Sequence, residues 1–327
     1  MHFIDYPFII ECENASETFH EAIKMSDFNR KYSSFHMDAI DRVQENSNPF
    51  FALPLRGIGV ATAFNVSEYY GKTSFEDEQK VELILSANEH LVIHTIKPSE
   101  GVQEIWKNTA AEILQIKKNN IIIDSEFSID EISNAPEDNY NTISTLNELI
   151  KKACLAIQKK RFHQPLPISI SKSSSSNSKK YWDKDTFSGT PFGPISLATT
   201  VIEVELDTYT YNERIKGLWM SVDCGELYDK TAALRALRLE IQQELSMLVK
   251  GKTIPCDNIN ISFIESKNKS GQIGELVRNT MPAAFSSALS LALATQVTKI
   301  PCTEKQLFEL IKKRETRTEQ IIQGEQE

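Results

Sequence analysis

One acidic side chain, Glu275, stands where it could act as a general base. It follows a short loop bracketed by two glycines, in the run Gly271-Gln-Ile-Gly-Glu-Leu276. Glycine lets a backbone approach a ligand closely, and free N–H groups at a helix start favour anionic ligands. Apolar neighbours predict a partly desolvated carboxylate that can accept a proton. These neighbours are Ile273, Leu276 and Val277.

A structural interpretation of Glu275 stays open. Acidic residues are common near helix N-termini because they complement the helix dipole. The sequence predicts an apolar helix of small residues that starts near Pro282, just after this loop. Asn279 is a candidate cap for it, whereas Arg278 could either cap the helix or contact an anionic ligand.

Composition excludes several classes of protein. The chain has 327 residues, a net charge of −9, and 40% hydrophobic and 25% charged residues. The negative charge argues against nucleic acid or an anionic membrane as the main partner. No apolar run is long enough to cross a bilayer, and the first residues lack the features of a signal peptide. We therefore expect a cytoplasmic protein.

The cysteines and histidines do not predict a metal site made by side chains. Five cysteines are scattered without a C-x-x-C pair, which excludes a self-contained iron–sulfur cluster of ordinary spacing. His90 and His94 lie four residues apart, but Leu91-Val-Ile93 between them predicts a strand. That spacing forms a zinc pair on a helix and not on a strand.

Apolar periodicity predicts an α+β fold made of two similar halves, packed as a layered domain. Each half has a β-hairpin, a helix, a strand and a second helix. The first half has its hairpin at 80–86 and 90–96, helices at 102–115 and 142–159, and a strand at 120–124. The second has its hairpin at 200–206 and 215–223, a helix at 230–249, a strand at 258–264 and the helix after Glu275. The alternative is that so common a unit recurs by coincidence.

The same patterns predict five segments along the chain. They are an N-terminal arm and helix (1–50), a first α+β half (51–170), a polar loop (171–185), a second half with the Glu275 loop (186–312) and a charged tail (313–327). The arm from Phe3 to Ile10 is apolar, so it should pack on its own core or on a second chain. A single charged helix is expected from about Ser16 to Gln44.

Several motifs occur in a fixed order between residues 55 and 304. They are Leu55-Arg-Gly-Ile-Gly-Val-Ala61, the hairpin and helix of 81–114, Val201-Ile-Glu-Val-Glu-Leu-Asp207, Ser221-Val-Asp-Cys-Gly225, Gly271-Gln-Ile-Gly-Glu-Leu276, Met281-Pro-Ala-Ala-Phe285 and Ile300-Pro-Cys-Thr-Glu304. In this order they resemble the C-terminal half of the molybdenum subunit of the xanthine dehydrogenase/aldehyde oxidase family, as in the split-subunit nicotinate dehydrogenase. Their collinearity carries the resemblance, because no single motif is specific.

The resemblance implies a fold like that family's second molybdopterin-binding domain. It also implies a molybdenum–molybdopterin cofactor, as the plain pterin or as a cytosine dinucleotide. The implied reaction is hydroxylation of a purine, another N-heterocycle or an aldehyde, with Glu275 as the general base. The residues that would contact the cofactor are Glu100, Gly101, Val102, Gly271, Gln272, Ile273 and Gly274.

Two departures from the family's pattern leave an alternative open. The family's pterin-binding M-G-Q-G turn is Pro98-Ser-Glu-Gly101 here, so Glu100 would face a phosphate with like charge. The helix around Leu237 lacks the glycines and the first glutamine of the family's second motif. The alternative is a non-catalytic structural or interaction subunit that has lost molybdenum. A third possibility is a stand-alone small-molecule binding protein that dimerises through its N-terminal arm.

The resemblance also implies partners, because the motifs of the family's first half are absent from this sequence. One partner subunit would carry that half of the molybdenum domain. Others would carry the 2Fe–2S and FAD groups. The expected protein is therefore one subunit of a cytoplasmic heteromer, in purine metabolism or a related pathway, that acts on a small-molecule substrate.

Overall fold

The computed structural model describes residues 14–44, 54–66, 79–96, 98–124, 140–174, 182–183, 188–189, 193–249 and 258–313. In chain order the helices are α1 (Ala15–Ser26), α2 (Phe28–Gln44), α3 (Glu100–Leu114), α4 (Tyr140–Arg161), α5 (Lys230–Leu248) and α6 (Gly274–Leu293), and residues 304–313 are also helical. The strands are β1 (Leu55–Val66), β2 (Lys80–Leu85), β3 (Leu91–His94), β4 (Ile121–Asp124), β5 (Ile168–Ser173), β6 (Trp182–Asp183), β7 (Ser188–Gly189), β8 (Ile195–Leu206), β9 (Glu213–Asp223) and β10 (Ile259–Phe263). The apolar N-terminal arm, most of the serine-rich tract and most of the charged tail lie outside the described residues.

The chain divides into two compact units. Unit 1 is built mainly from Val66–Pro194, and unit 2 joins Glu11–Asn65 to Ile195–Glu327. Each unit contains a four-stranded sheet, in the order β4-β3-β2-β5 in unit 1 and β1-β8-β9-β10 in unit 2. The α+β class is therefore confirmed.

Unit 1 forms its core between the sheet and two helices. Strand β3 runs parallel to β4 and antiparallel to β2, and β2 is antiparallel to β5. Alternate residues of β2 and β3 face the helices, as the period of a strand requires. Trp106 on α3 and Ile150 on α4 are fully buried among them.

Unit 2 has helices on both faces of its sheet. Ile202 and Phe285 belong to a large core shared with α5 and α6. The neighbouring residue Val201 faces the opposite way and packs with Ala22, Trp219 and Phe35 in a second cluster beneath α1 and α2. Lys31 on α2 reinforces this face, since its Nζ lies 2.7 Å from Glu203 Oε2 and 4.2 Å from the centroid of the Trp219 ring.

The two sheets share the arrangement of three strands, which confirms the predicted pair of similar halves. In each, an antiparallel hairpin (β2–β3 or β8–β9) is followed by a helix and by a strand that pairs parallel to the hairpin's second strand. The fourth strand differs in origin. In unit 1 it is β5, which follows α4 along the chain, whereas in unit 2 it is β1, which precedes the hairpin by more than a hundred residues.

The structure corrects three expectations about the elements. Residues 16–44 form two helices because Asp27 adopts a left-handed conformation, with φ of 53°, and its N–H bonds to the carbonyls that end α1. Strand β1, expected in the first half, pairs in the sheet of unit 2. Helix α6 begins at Gly274, and Pro282 lies inside it.

Candidate functional site

Glu275 lies in the first turn of α6, which starts directly after the glycine-containing loop. The N-cap residue is Ile273, and its side chain makes no capping bond to the helix. The Leu276 N–H is bonded to the Ile273 carbonyl (3.2 Å), so the N–H groups before it are the candidate donors to an anionic group. Asn279 is not the cap, because it lies beyond the first turn.

The predicted burial of Glu275 is wrong for the chain by itself. Its side chain is exposed, whereas Leu276 and Val277 are fully buried. Successive residues on a helix point about 100° apart, so the two apolar side chains turn into the core and do not wall the carboxylate. Two cavities of about 320 and 270 Å³ lie in unit 2, around Cys302 and Lys305, and Glu275 lines neither.

The loop before Glu275 is tied by its backbone to the end of β9. The N–H of Ile264 donates to the Val222 carbonyl (2.8 Å), and the N–H of Gly271 donates to the Cys224 carbonyl (2.8 Å). In return, the N–H of Glu226 donates to the Asn268 carbonyl (2.9 Å). These bonds fix where the chain enters α6.

Packing inside the protein disfavours a side chain at position 271. A Cβ built there would lie 2.3 Å from Ser196 Oγ at the start of β8, so the serine side chain would have to move. Gly274 differs, because a Cβ built there would meet no described atom within 4 Å. Packing among the described residues thus explains the glycine at position 271 but not the glycine at position 274.

Asp223, at the end of β9, organises the turn that the loop packs against. Its Oδ1 accepts a hydrogen bond from the Gly225 N–H (3.0 Å), and its Oδ2 accepts one from Asn14 Nδ2 (2.9 Å). Gly225 has a φ of 72°, and a Cβ there would lie 2.2 Å from the Lys269 carbonyl oxygen. The sequence motif contained Asp223, but nothing in its pattern predicted these contacts.

A buried pair of hydroxyl groups fastens α6 to the sheet. Thr280 Oγ1 donates to the Leu276 carbonyl (2.7 Å) and lies 2.7 Å from Thr200 Oγ1 on β8. A hydroxyl has one proton, so Thr200 donates to Thr280. Both side chains are fully buried, and their hydrogen bonds hold the first turns of α6 in place next to Glu275.

The carboxyl group of Glu244, on α5, has a raised pKa where α5 packs near α6. Burial of Glu244 on α5 raises the pKa of its carboxyl group; the positive charge of Arg278 on α6 lowers that pKa, and Glu240 raises it. Leu237, the residue at the second departure from the family pattern, is fully buried in the core of unit 2.

The other predicted cofactor contacts lie at the start of α3, in unit 1. Glu100 and Gly101 are exposed and Val102 is half-buried. The N-cap residue Ser99 makes no capping bond, and a Cβ built at Gly101 would have open space around it in the described part of the chain. By contrast, the Asp229 side chain caps α5 by accepting from the Ala232 N–H (2.9 Å).

The residues at the starts of α3 and α6 can be compared with those that a phosphate-bearing pterin would need. Uncapped N–H groups and open space beside Gly101 and Gly274 fit an anionic ligand that approaches the backbone. The carboxylate of Glu100 opposes such a ligand in charge. The backbone thus fits the group, and one side chain of the first helix turn does not.

Part of the chain matches a known protein family. Residues 99–235 match the family model of the molybdopterin cofactor-binding domain. This match includes Glu100, Gly101 and Val102 and ends before Glu275. The resemblance to the molybdenum subunit of the xanthine dehydrogenase/aldehyde oxidase family is confirmed over this part of the chain. No curated protein matches the sequence.

Solved structures of molybdenum hydroxylases share the fold. Aldehyde oxidoreductase from Desulfovibrio gigas superposes with a TM-score of 0.61 at 17% identity, over 89% of this chain and 35% of that chain. Quinoline 2-oxidoreductase from Pseudomonas putida 86 gives 0.62 at 14% identity, over 95% and 48%. CO dehydrogenase from Oligotropha carboxidovorans gives 0.66 at 11% identity, over 93% and 46%. This chain thus spans between a third and a half of their length.

No helix among the described residues is both long enough and apolar enough to cross a membrane.

Proposed function

We propose that the chain is the cofactor-binding subunit of a multi-subunit molybdenum hydroxylase, with Glu275 as the general base. The substrate would be a purine, another N-heterocycle or an aldehyde. Partner subunits would carry the remaining half of the molybdenum domain, the 2Fe–2S clusters and FAD. The match of residues 99–235 to a molybdopterin-binding family supports the cofactor.

The observation that carries the proposal is a feature repeated in both units. Helices α3 and α6 each begin with an N-cap residue whose side chain makes no capping bond, and each has an exposed or half-buried glycine with open space beside its Cα. Packing among the described residues gives no reason for glycine at 101 or 274. A ligand that approaches the backbone does give one.

Each residue has a defined task in this proposal. The backbone N–H groups at Gly101 and Val102 in unit 1, and those of Ile273 and Gly274 just before Glu275, would donate to the anionic cofactor, whereas the Gly271 N–H is already bonded to the Cys224 carbonyl. When bound, the cofactor supplies the oxygen-transfer and electron-accepting chemistry. Glu275 takes up the proton through its carboxylate. A general base works best in a site that excludes water, so the partner subunit must cover this exposed side chain.

The second candidate is the non-catalytic subunit of the same fold. Two observations favour it: Glu100 places a negative charge at the first helix start, and Glu275 is exposed in this chain. It predicts a protein that assembles with partners but contains neither molybdenum nor pterin.

The test is to purify the chain with its partner subunits and to measure molybdenum and pterin together with turnover. We expect molybdenum near one equivalent. Glu275→Gln should abolish turnover and leave cofactor content nearly intact, because the amide keeps the size but cannot take up the proton. Glu265→Gln, which changes another exposed glutamate ten residues earlier, is the matched control and should leave the rate unchanged.

Two results would contradict the proposal. Absence of molybdenum from the assembled protein would favour the structural subunit. Wild-type turnover in the Glu275→Gln variant would refute the role of Glu275 while leaving the cofactor assignment in place.

A further inference from the structure

Asn14 breaks the usual pattern of a helix start. It is the N-cap residue of α1, and asparagine is among the residues preferred at that position. Its side chain nevertheless makes no capping bond to α1. Instead, Nδ2 donates to Asp223 Oδ2 at 2.9 Å, across 209 residues of sequence. A local capping bond is replaced by a contact with a distant carboxylate, which points to a constraint outside α1.

Asp223 also contacts the turn after β9, through its second carboxylate oxygen. Its second oxygen accepts from the Gly225 N–H at 3.0 Å, and Asp223 itself is buried. The turn takes a left-handed conformation at Gly225 that suits glycine. The carboxylate therefore holds two donors in one geometry, one from the N-terminal helix and one from the turn.

The same turn holds the loop that leads into the Glu275 helix. The Cys224 carbonyl accepts from the Gly271 N–H, and the Glu226 N–H donates to the Asn268 carbonyl. Both bonds flank the residues that Asp223 constrains. Between Asn14 and Gly271 the contacts run through hydrogen bonds of 2.8–3.0 Å and through the covalent backbone of residues 223–225.

We propose that Asp223 is a positioning residue for the Glu275 loop and that Asn14, by orienting the Asp223 carboxylate, couples the N-terminal helix α1 to that loop. Neither residue belongs to the helix start where chemistry would occur. The inference rests on the proposed function for its catalytic meaning, but the positioning itself can be measured without cofactor.

The test exchanges donor and acceptor. Asn14→Asp sets two carboxylates against each other, while aspartate remains a good N-cap for α1. Asp223→Asn keeps an acceptor for Gly225, and the Asn14 amide can turn to present its oxygen. In the double variant, the new amide at position 223 would donate to the new carboxylate at position 14 and accept from Gly225. The contacts are then restored with their roles reversed.

The primary readout is hydrogen exchange of the peptide 265–276, followed by mass spectrometry on the purified full chain with its co-purifying subunits. In Asn14→Asp we expect exchange in this peptide to rise by about tenfold, as for the loss of one hydrogen bond to a charged group. Asp223→Asn and the double variant should stay within about threefold of wild type. Trypsin cleavage at the exposed Lys267 and Lys269 should follow the same order.

A matched control separates this coupling from a general loosening of the N-terminal helices. Lys31→Met breaks the contact of α2 with Glu203 on the same sheet and leaves Asn14 untouched. Its loop exchange should equal that of wild type.

Three outcomes would overturn the inference: unchanged exchange in Asn14→Asp, a double variant that exchanges as fast as Asn14→Asp, or an equal rise in Lys31→Met. In the assembled enzyme, kcat should fall in Asn14→Asp and recover in the double variant. If exchange behaves as expected while Glu275→Gln keeps full turnover, the positioning stands and the proposed base is refuted.

Discussion

Glu244 on α5 is a buried acidic side chain that ties the stability of unit 2 to pH. Burial raises the pKa of its carboxyl group, so the folded protein binds this proton more tightly than the unfolded chain does. The stability that the group contributes is present below its unfolded pKa and is lost as pH rises through the raised folded pKa. Glu244→Gln removes the charge that burial disfavours.

We expect Glu244→Gln to raise the free energy of unfolding at pH 7 and to lose this advantage as the pH falls towards 4. Urea denaturation at a series of pH values measures both. Glu265→Gln, at an exposed site, should show no such trend. A destabilised Glu244→Gln at pH 7 would mean that attraction to Arg278 outweighs burial.

Glu275 and Asp223 show how far single residues could be predicted. The glycines and the acidic residue predicted the loop and its chain neighbours, and the structure places Glu275 in the first turn of α6. The predicted water-poor wall was wrong, because residues adjacent in sequence face different sides of a helix. Asp223 was missed for the converse reason: its partner Asn14 lies 209 residues away, and no local pattern records that contact.

At the scale of elements, periodicity predicted both hairpins, the strands β4 and β10 and most helices, because one face of each is buried. It did not predict β5, whose end lies in the expected polar loop. It failed where a single backbone angle or a distant pairing decides the outcome. Asp27 divides the predicted N-terminal helix, and Pro282 is accommodated within α6. Strand β1 joins unit 2 because its glycines fit α6, a fit that depends on residues more than 200 positions away.

The glycines of β1 should be essential for packing. A Cβ at Gly59 would lie 2.2 Å from the Ala284 carbonyl oxygen of α6, and one at Gly57 would lie 2.0 Å from that of Ala288. Gly59→Ala should therefore lower the free energy of unfolding by about 2–4 kcal/mol, since backbone cannot move aside cheaply. Thermal and urea unfolding measure the loss.

Gly101→Ala is the matched comparison, because a Cβ there comes within 4 Å of no atom that the structure describes. Its stability should equal or slightly exceed that of wild type, by up to about 1 kcal/mol, as for alanine in place of glycine in a helix. If a cofactor approaches this backbone, pterin content should fall although stability does not. Equal losses of stability in Gly59→Ala and Gly101→Ala would contradict the packing argument.

For the whole molecule, the decisive fact is that the chain spans 34–48% of the length of the solved structures that share its fold. The sequence predicted this partial coverage, because it contains motifs of the second half of the family's molybdenum subunit and none of the first half. These motifs could not predict the contacts of the proposed partner, because those contacts depend on residues that are not in this sequence. The exposed carboxylate of Glu275 is consistent with a site completed by another polypeptide.

We expect the tagged chain to co-purify with a polypeptide whose sequence matches the other half of a molybdenum subunit, identified by mass spectrometry. Separation of the two should release molybdenum and make the isolated chain prone to aggregation. Light scattering of the purified material measures the assembly. A stable, metal-free monomer or homodimer would instead favour the stand-alone binding protein.

The origin of the fourth strand in each sheet has a consequence for biosynthesis. Unit 1 is nearly contiguous, so a chain emerging from the ribosome contains all four strands of its main sheet by residue 173. In unit 2, β1 is synthesised early and cannot pair until its neighbouring strand β8 emerges, after the whole of unit 1 has been made. Contacts of such long sequence separation form slowly. We therefore expect the glycine strand that later lies against α6 to depend on protection by chaperones during translation.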